Sequence, residues 1–286
     1  MLKFILPFVM VLGLGFADEP PADQDYQKFE SSLDWKSAGA YPLPLSNSTL
    51  TLPQEHVVLL GKDADAMRVF WGNASSHDLE AITLTEERSE PVIFRFYSEG
   101  YISLADWSAV DAKALLQSYL ENTERENKER EKKGLESLHV LGWMQEPTLD
   151  KETNTVYWAI EAVAGKDDHF VNAFALRLGR FGYEELVWIT DKNSYIPKGG
   201  ELDLMLQAHS FEEGFRYADY VSGDKVAAYG IASLVAASIG VKVLKSGALL
   251  LLIKKFGAFF IAACAALFYK IRSWLKKEEH EPDPLD

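Results

Sequence analysis

The chain has 286 residues, a formal net charge of −14 and a single cysteine. An acid excess of that size excludes a protein built to bind nucleic acid, which needs Lys and Arg against phosphate. One cysteine excludes an intrachain disulfide, so stability must come from an ordinary apolar core.

Residues 4–16 (FILPFVMVLGLGF) form a short apolar run behind Lys3, and Gly15-Phe16-Ala17 puts small residues where a signal peptidase reads. The pattern predicts a secretory signal over residues 1–17, cut after Ala17. The alternative is a retained anchor, but thirteen residues reach only roughly 20 Å as a helix, short of the ~30 Å hydrocarbon core. No cysteine lies at the cut, which excludes a lipoprotein route.

Residues 18–225 carry 20 Lys/Arg against 38 Asp/Glu, a net −18. They read as one acidic extracytoplasmic domain. Residues 48–52 (STLTL), 56–60, 81–85 and 91–97 have strand patterning, with Val92, Phe94 and Phe96 on one face. Residues 63–71 read as a short helix with Asp63 as its N-cap. A long helix is expected over 109–133, with Leu116, Tyr119, Leu120 and Thr123 as its less polar stripe. Beyond Thr123 the sequence ERENKEREKK is polar on every face. It reads either as an arm projecting to a partner or as a solvated helix end.

Period-two patterning returns at 140–144, 155–163, 170–178 and 183–190, with Val156, Trp158, Ile160 and Ala162 aligned. The joining segments (150–154, 165–168 and 179–182) carry turn chemistry, and short connections favour an antiparallel meander. A last helix is expected over 198–207 with Leu202, Met205 and Leu206 as its apolar set. The fold class is α+β: a mostly antiparallel sheet covered by helices, followed by C-terminal membrane helices. Residues 211–225 (FEEGFRYADYVSGDK) mix aromatics with acids and read as a docking collar beside the membrane.

Residues 226–277 hold eight Lys/Arg and no acid. They are expected to anchor the chain through two apolar helical segments, about 226–244 and 248–272, before an acidic tail at 278–286. Ala232, Ala236 and Gly240, and again Ala258, Ala262 and Ala266, recur every four positions. Such stripes allow close helix packing in lipid. Basic residues prefer the cytoplasmic side, which leaves one-span and two-span topologies open. Trp274 beside Lys276 and Lys277 fits an interfacial anchor.

No catalytic signature stands out. The histidines at 56, 77, 139, 169, 209 and 280 lack zinc-ligand spacing. Asp167-Asp168-His169 is a candidate metal cluster, set in an expected hairpin turn where polar residues are common anyway. There is no G-x-S-x-G and no phosphate-cradling glycine loop. No residue is assigned as catalytic, cofactor-binding or metal-ligating, and no cofactor is expected.

Several segments in order resemble a bacterial membrane-anchored family catalogued only as domain of unknown function 2167. They are Trp71-Gly72-Asn73, Gly100-Tyr101-Ile102-Ser103, the NTERENKER helix at 122–130, Val140-Leu141-Gly142-Trp143, Val156-Tyr157-Trp158-Ala159, Leu178-Gly179-Arg180-Phe181-Gly182, Phe215-Arg216-Tyr217-Ala218-Asp219-Tyr220 and the run from Asp224 to Ala232. The resemblance implies export, a membrane anchor and a bacterial source. It brings no established activity and no catalytic residues. The expected function is a non-enzymatic binding, sensing or scaffold module of the bacterial envelope. It would sit at the cytoplasmic (inner) membrane, with the lipid bilayer and an envelope protein as partners. The alternative is an envelope hydrolase or metal-dependent enzyme; a third reading gives the C-terminal helices a role in membrane assembly.

Overall fold

The structure, a computed structural model, describes residues 23–239 except 72, 88, 133–135, 166, 167 and 198. The expected signal, the 248–272 segment, the stripe over 258–266 and the tail lie outside the described residues.

Two antiparallel sheets organise the chain. The larger holds β3 (His56–Leu60), β4 (Leu79–Thr85), β5 (Val92–Tyr97), β6 (Leu138–Asp150), β7 (Thr155–Ala164), β8 (Asp168–Leu178) and β9 (Tyr183–Thr190). Their order is β3-β4-β5-β9-β8-β7-β6. It is two meanders joined where β5 pairs with β9, Val92 opposite Trp188. The smaller sheet is β1 (Gly39–Leu43), β2 (Ser48–Leu52) and β10 (His209–Phe211), in the order β1-β2-β10.

Strand alternation sends side chains to two separate cores. One face of the larger sheet buries Val156, Trp158, Ile160, Val187 and Ile189 beneath α2 (Gly61–Phe70), α3 (Ala112–Lys132) and α5 (Ile231–Ser238). The other buries Val92, Phe94, Ala173, Leu186 and Trp188 beneath the small sheet and α4 (Glu201–Ala208). A further helix, α1 (Asp23–Glu30), stacks Phe29 on Phe70 of α2 with ring centroids 4.2 Å apart. The α+β class with antiparallel sheets is therefore observed, in three layers rather than as one sheet.

The polar end of the long helix is not a projecting arm: its outer face is exposed, as a solvated end would be, but its inner face packs on the domain. The buried residues of α3 are Leu115, Tyr119, Thr123, Asn127 and Arg130, one continuous stripe that runs through the polar stretch. Thr123, Asn127 and Arg130 each bond to backbone. The Asn127 carboxamide accepts from the Leu138 N–H (2.8 Å) and donates to the Leu138 carbonyl (2.6 Å). Arg130 Nε donates to the Glu136 carbonyl. Helix periodicity weighs apolar side chains and misses a stripe whose partners are peptide groups.

The expected boundary at 225 and the expected membrane segment 226–244 also need correction as far as residue 239; residues 240–244 lie outside the described residues. Ile231, Leu234, Val235 and Ile239 are at most 2 % exposed and belong to the helix-side core. Each such aliphatic is worth about 1.5–3 kcal/mol when fully buried. The eight-residue α5 therefore packs on the domain, taking Ala232 and Ala236 with it. Among the described residues no helix is long and apolar enough to cross a membrane.

Smaller differences have local causes. Asp63 lies inside the first turn of α2, whose N-cap position is Leu60. β6 runs on past Met144 through Pro147 because it is an edge strand, where a missing N–H costs no ladder bond; register shifts mark that stretch. α3 begins at Ala112 because a separate 3₁₀ turn occupies Trp107–Ala109.

Asn127→Ala removes the side-chain partner of two buried backbone groups, the Leu138 N–H and carbonyl. The expected loss is about 1–3 kcal/mol for each group left unpaired, read as a lower urea midpoint. Lys128→Ala, on the exposed face, is expected to stay within about 0.5 kcal/mol of the parent.

Candidate functional site

The histidines do not gather. His56 Nε2 lies 2.9 Å from Glu201 Oε1 and ties β3 to α4. His139 Nδ1 lies 2.8 Å from Glu124 Oε1 on α3. His169 Nδ1 lies 2.9 Å from Glu161 Oε1, which Lys192 also reaches. His77 is exposed; Asp167 and His280 lie outside the described residues. Asp168 and His169 are the first two residues of β8, and His169 is paired with Glu161. Among the described residues, no three or more His, Cys, Asp or Glu side chains are grouped to hold a metal ion.

The chemistry the sequence reading missed lies in β9. All eight of its residues are buried, yet two of them are acids, Glu184 and Glu185. Alternation sends them to opposite cores. Glu185 meets the buried Arg95 directly across the β5–β9 pairing and forms an ion pair with its Nη2. Tyr97 and Tyr183 stack beside them, ring centroids 5.0 Å apart. Burial first, then the Glu185 charge, pushes both phenols well above their ordinary value, so they stay protonated.

Glu184 faces the small sheet and is wholly buried. Near it are Glu80 of β4 and His209 of β10, whose Nε2 is 3.9 Å from Glu184 Oε2. The signal for this cluster is legible once sought: two acids inside an otherwise apolar strand, YEELVWIT.

A second feature forms at one end of the larger sheet, where the expected collar becomes a strap. The Gly179 to Gly182 turn between β8 and β9 is crossed by the segment from 211 to 230. Arg180 grips Asp224 with two bonds, Nε to Oδ2 at 2.7 Å and Nη2 to Oδ1 at 2.9 Å. The Arg180 side chain, donating to both oxygens, holds the Asp224 carboxyl below the usual range. Asp224 Oδ2 also accepts from the Val221 N–H. Beyond it, Tyr101 N–H donates to the Lys225 carbonyl, and the Ala227 N–H donates back to the Tyr101 carbonyl.

Two glycines permit this crossing. Gly100 has φ +95°, and a Cβ there would lie 2.6 Å from the Lys225 carbonyl oxygen. A Cβ on Gly179 would lie 2.9 Å from the Phe211 ring and 3.1 Å from the Phe215 carbonyl oxygen. The strap ends in an aromatic stack: the Tyr101 ring lies 4.5 Å from Tyr217 and 4.1 Å from Tyr220, centroid to centroid. Beside it Tyr220, Val221 and Val226 are exposed. Three of the segments that carry the family resemblance (100–103, 178–182 and 215–232) thus converge here.

Two antiparallel sheets face to face, with helices on the outer side of the larger, define an α+β protein. The chain belongs to the family described as Protein of unknown function (DUF2167), whose model matches residues 36–266. Comparison with curated proteins finds no match. Among solved structures it is similar to the solution structure of cyanobacterial PsbP (CyanoP) from Synechocystis sp. PCC 6803. That likeness has 12% identity and a TM-score of 0.39, covering 62% of this chain and 92% of the other. It is too loose to carry anything over.

Glu185→Gln leaves the buried Arg95 guanidinium without a counter-charge, and a loss of about 3–5 kcal/mol is expected in chemical denaturation. Asp224→Asn is expected to speed hydrogen exchange at the Ala227 amide while leaving amides in β7 unchanged. In the parent the same loosening is expected on acidification. The Asp224 pKa is lowered in the folded state, so its contribution is present at neutral pH and is lost as pH falls through that lowered value.

Proposed function

We propose that the chain is a non-catalytic binding module of the bacterial envelope, exported by residues 1–17 and tethered to the cytoplasmic membrane, whose strap face docks a partner protein. Residues 226–239 belong to the folded domain, so the tether is assigned to 248–272 alone. Twenty-five residues reach roughly 37 Å as a helix, enough to cross. Lys254 and Lys255 sit near one end, where they reach the headgroups instead of costing about 3 kcal/mol each at mid-bilayer.

The observation that carries the docking role is the strap itself. Tyr220, Val221 and Val226 stand exposed on a segment fixed by the Arg180–Asp224 fork. A preorganised apolar patch loses little freedom when a partner covers it. The exposed acids Glu99, Glu212 and Glu213 lie on or beside the strap. The complementary surface is therefore an apolar hollow with a basic rim on another envelope protein.

Photocrosslinking from position 221 in cells is expected to give one discrete protein adduct that disappears in the Val226→Asp variant. Adducts with lipid alone, or a protein ladder indifferent to Val226, would remove the docking role. The tether is tested separately. The full chain is expected to stay with membranes through carbonate washing, whereas a chain ended after 239 is expected in the soluble envelope fraction. Equal partitioning of the two would refute membrane anchoring by this segment.

A further inference from the structure

The buried cluster between the two sheets has an unusual accounting. Glu184 is 0 % exposed and Glu80 3 %. His209 is 1 % exposed. Both Glu184 carboxyl oxygens, Glu80 Oε2 and both His209 ring nitrogens have no hydrogen-bond partner. Buried polar atoms are nearly always paired, so five in one place need a reason.

The elements divide the cluster across the interface. Glu80 and Glu184 sit on β4 and β9 of the larger sheet. Facing them are His209 on β10 and the turn joining β1 to β2. Glu80 Oε1 accepts from the backbone N–H groups of Leu45 (2.6 Å) and Ser46 (3.2 Å) in that turn. The Ser46 hydroxyl is itself paired with Ser48 at 2.7 Å. Arg177 of β8 is the cross-strand neighbour of Glu184. Its guanidinium, however, donates to the carbonyls of Leu206 and His209. Glu185, on β9 itself, faces the opposite core and is neutralised by Arg95. Glu80 therefore has two backbone donors, whereas among the described residues Glu184 has only the nearby Ser46 hydroxyl to ease its charge.

We propose that Glu184, Glu80 and His209 form a proton-held latch: a proton kept on the Glu184 carboxyl fastens the three-stranded sheet to the seven-stranded one, and its loss frees β2 and β10 to open. With the proton in place Glu184 is a neutral acid beside a neutral imidazole, and its O–H can turn to His209 Nε2 or Glu80 Oε2. Without it, two carboxylates share a buried space with too few donors, a state the protein relieves by admitting water between the sheets.

The sign follows from where each group holds its proton. Burial first, then the Glu80 charge, raises Glu184 well above its ordinary value of 4.5. The closed state therefore holds one proton more than an opened one, and closure weakens as pH rises through that interval. His209 acts in the opposite sense. Burial, then Arg177, lowers it from 6.5 to about 3, so it costs closure only below about pH 6.5. The two slopes oppose each other below 6.5, and above 6.5 His209 no longer offsets that of Glu184.

The test is amide hydrogen exchange of the full-length chain in detergent across pH 6.5 to 9, corrected for the intrinsic base catalysis of exchange. In the parent, the opening constant of β2 and β10 amides is expected to rise by up to tenfold per pH unit, the limit for one proton. Amides of β6 and β7 are expected to hold level. Glu184→Gln, a permanent neutral mimic, is expected to flatten the β2 and β10 profile. A flat parent profile overturns the proposal whether or not the variant folds, and so does a slope that survives in E184Q. An equal slope in β6 and β7 overturns it too, since the proton would then hold the whole domain rather than the small sheet.

Discussion

Strand β9 is covered on both faces along its whole length, and two of its eight residues are glutamates. An unpaired carboxylate in such a place costs several kcal/mol, so the three-layer arrangement persists only if each acid is dealt with separately. On the helix side the solution is a counter-charge, Arg95, placed opposite Glu185 by the β5–β9 register. On the small-sheet side, among the described residues, no counter-charge reaches Glu184: the neighbouring Arg177 is engaged by two carbonyls. One strand thus shows two ways of keeping acid groups inside a fold, and the layers on its two faces inherit different sensitivities from them.

The outer layers are attached by polar chemistry to a comparable degree. α3 docks its distal half through Asn127 and Arg130 onto the backbone around β6. The strap docks through Arg180, Asp224 and the backbone of Tyr101. Both attachments are built from charged or amide side chains meeting peptide groups. That suits a chain whose acidic body offers little apolar surface at its edges. The glycines at 100 and 179 belong to the same scheme, because the strap can reach its hydrogen bonds only where no side chain intervenes.

Much of this was legible in the sequence. Period two located β2, β3 and β9 at their observed limits, and it put Val156, Trp158, Ile160 and Ala162 on the face where they lie. The apolar set Leu202, Met205 and Leu206 marked the buried side of α4. What stayed hidden depended on tertiary partners. The three residues of β10 are too few to show a period. The polar stripe of α3 gives no hydrophobic signal, since its partners are backbone groups. The apolar run after 225 is read as easily for lipid as for protein, and its small residues suit either; only the packing of Ile231, Leu234 and Val235 distinguishes them. The buried Glu184 was visible as an oddity of composition, but its neighbours Glu80 and His209 are remote in sequence and come together only when the two sheets face each other.

The carboxamide of Asn127 has a consequence beyond holding a helix. β6 is the last strand of its sheet, and the peptide group of Leu138 offers the donor and acceptor that a second polypeptide would need to add itself there. Asn127 already occupies both, and the strand beyond is broken by register shifts and Pro147. This edge of the sheet is stoppered against self-templated growth into fibrils, a safeguard that matters most for a β-rich protein crowded at high local concentration.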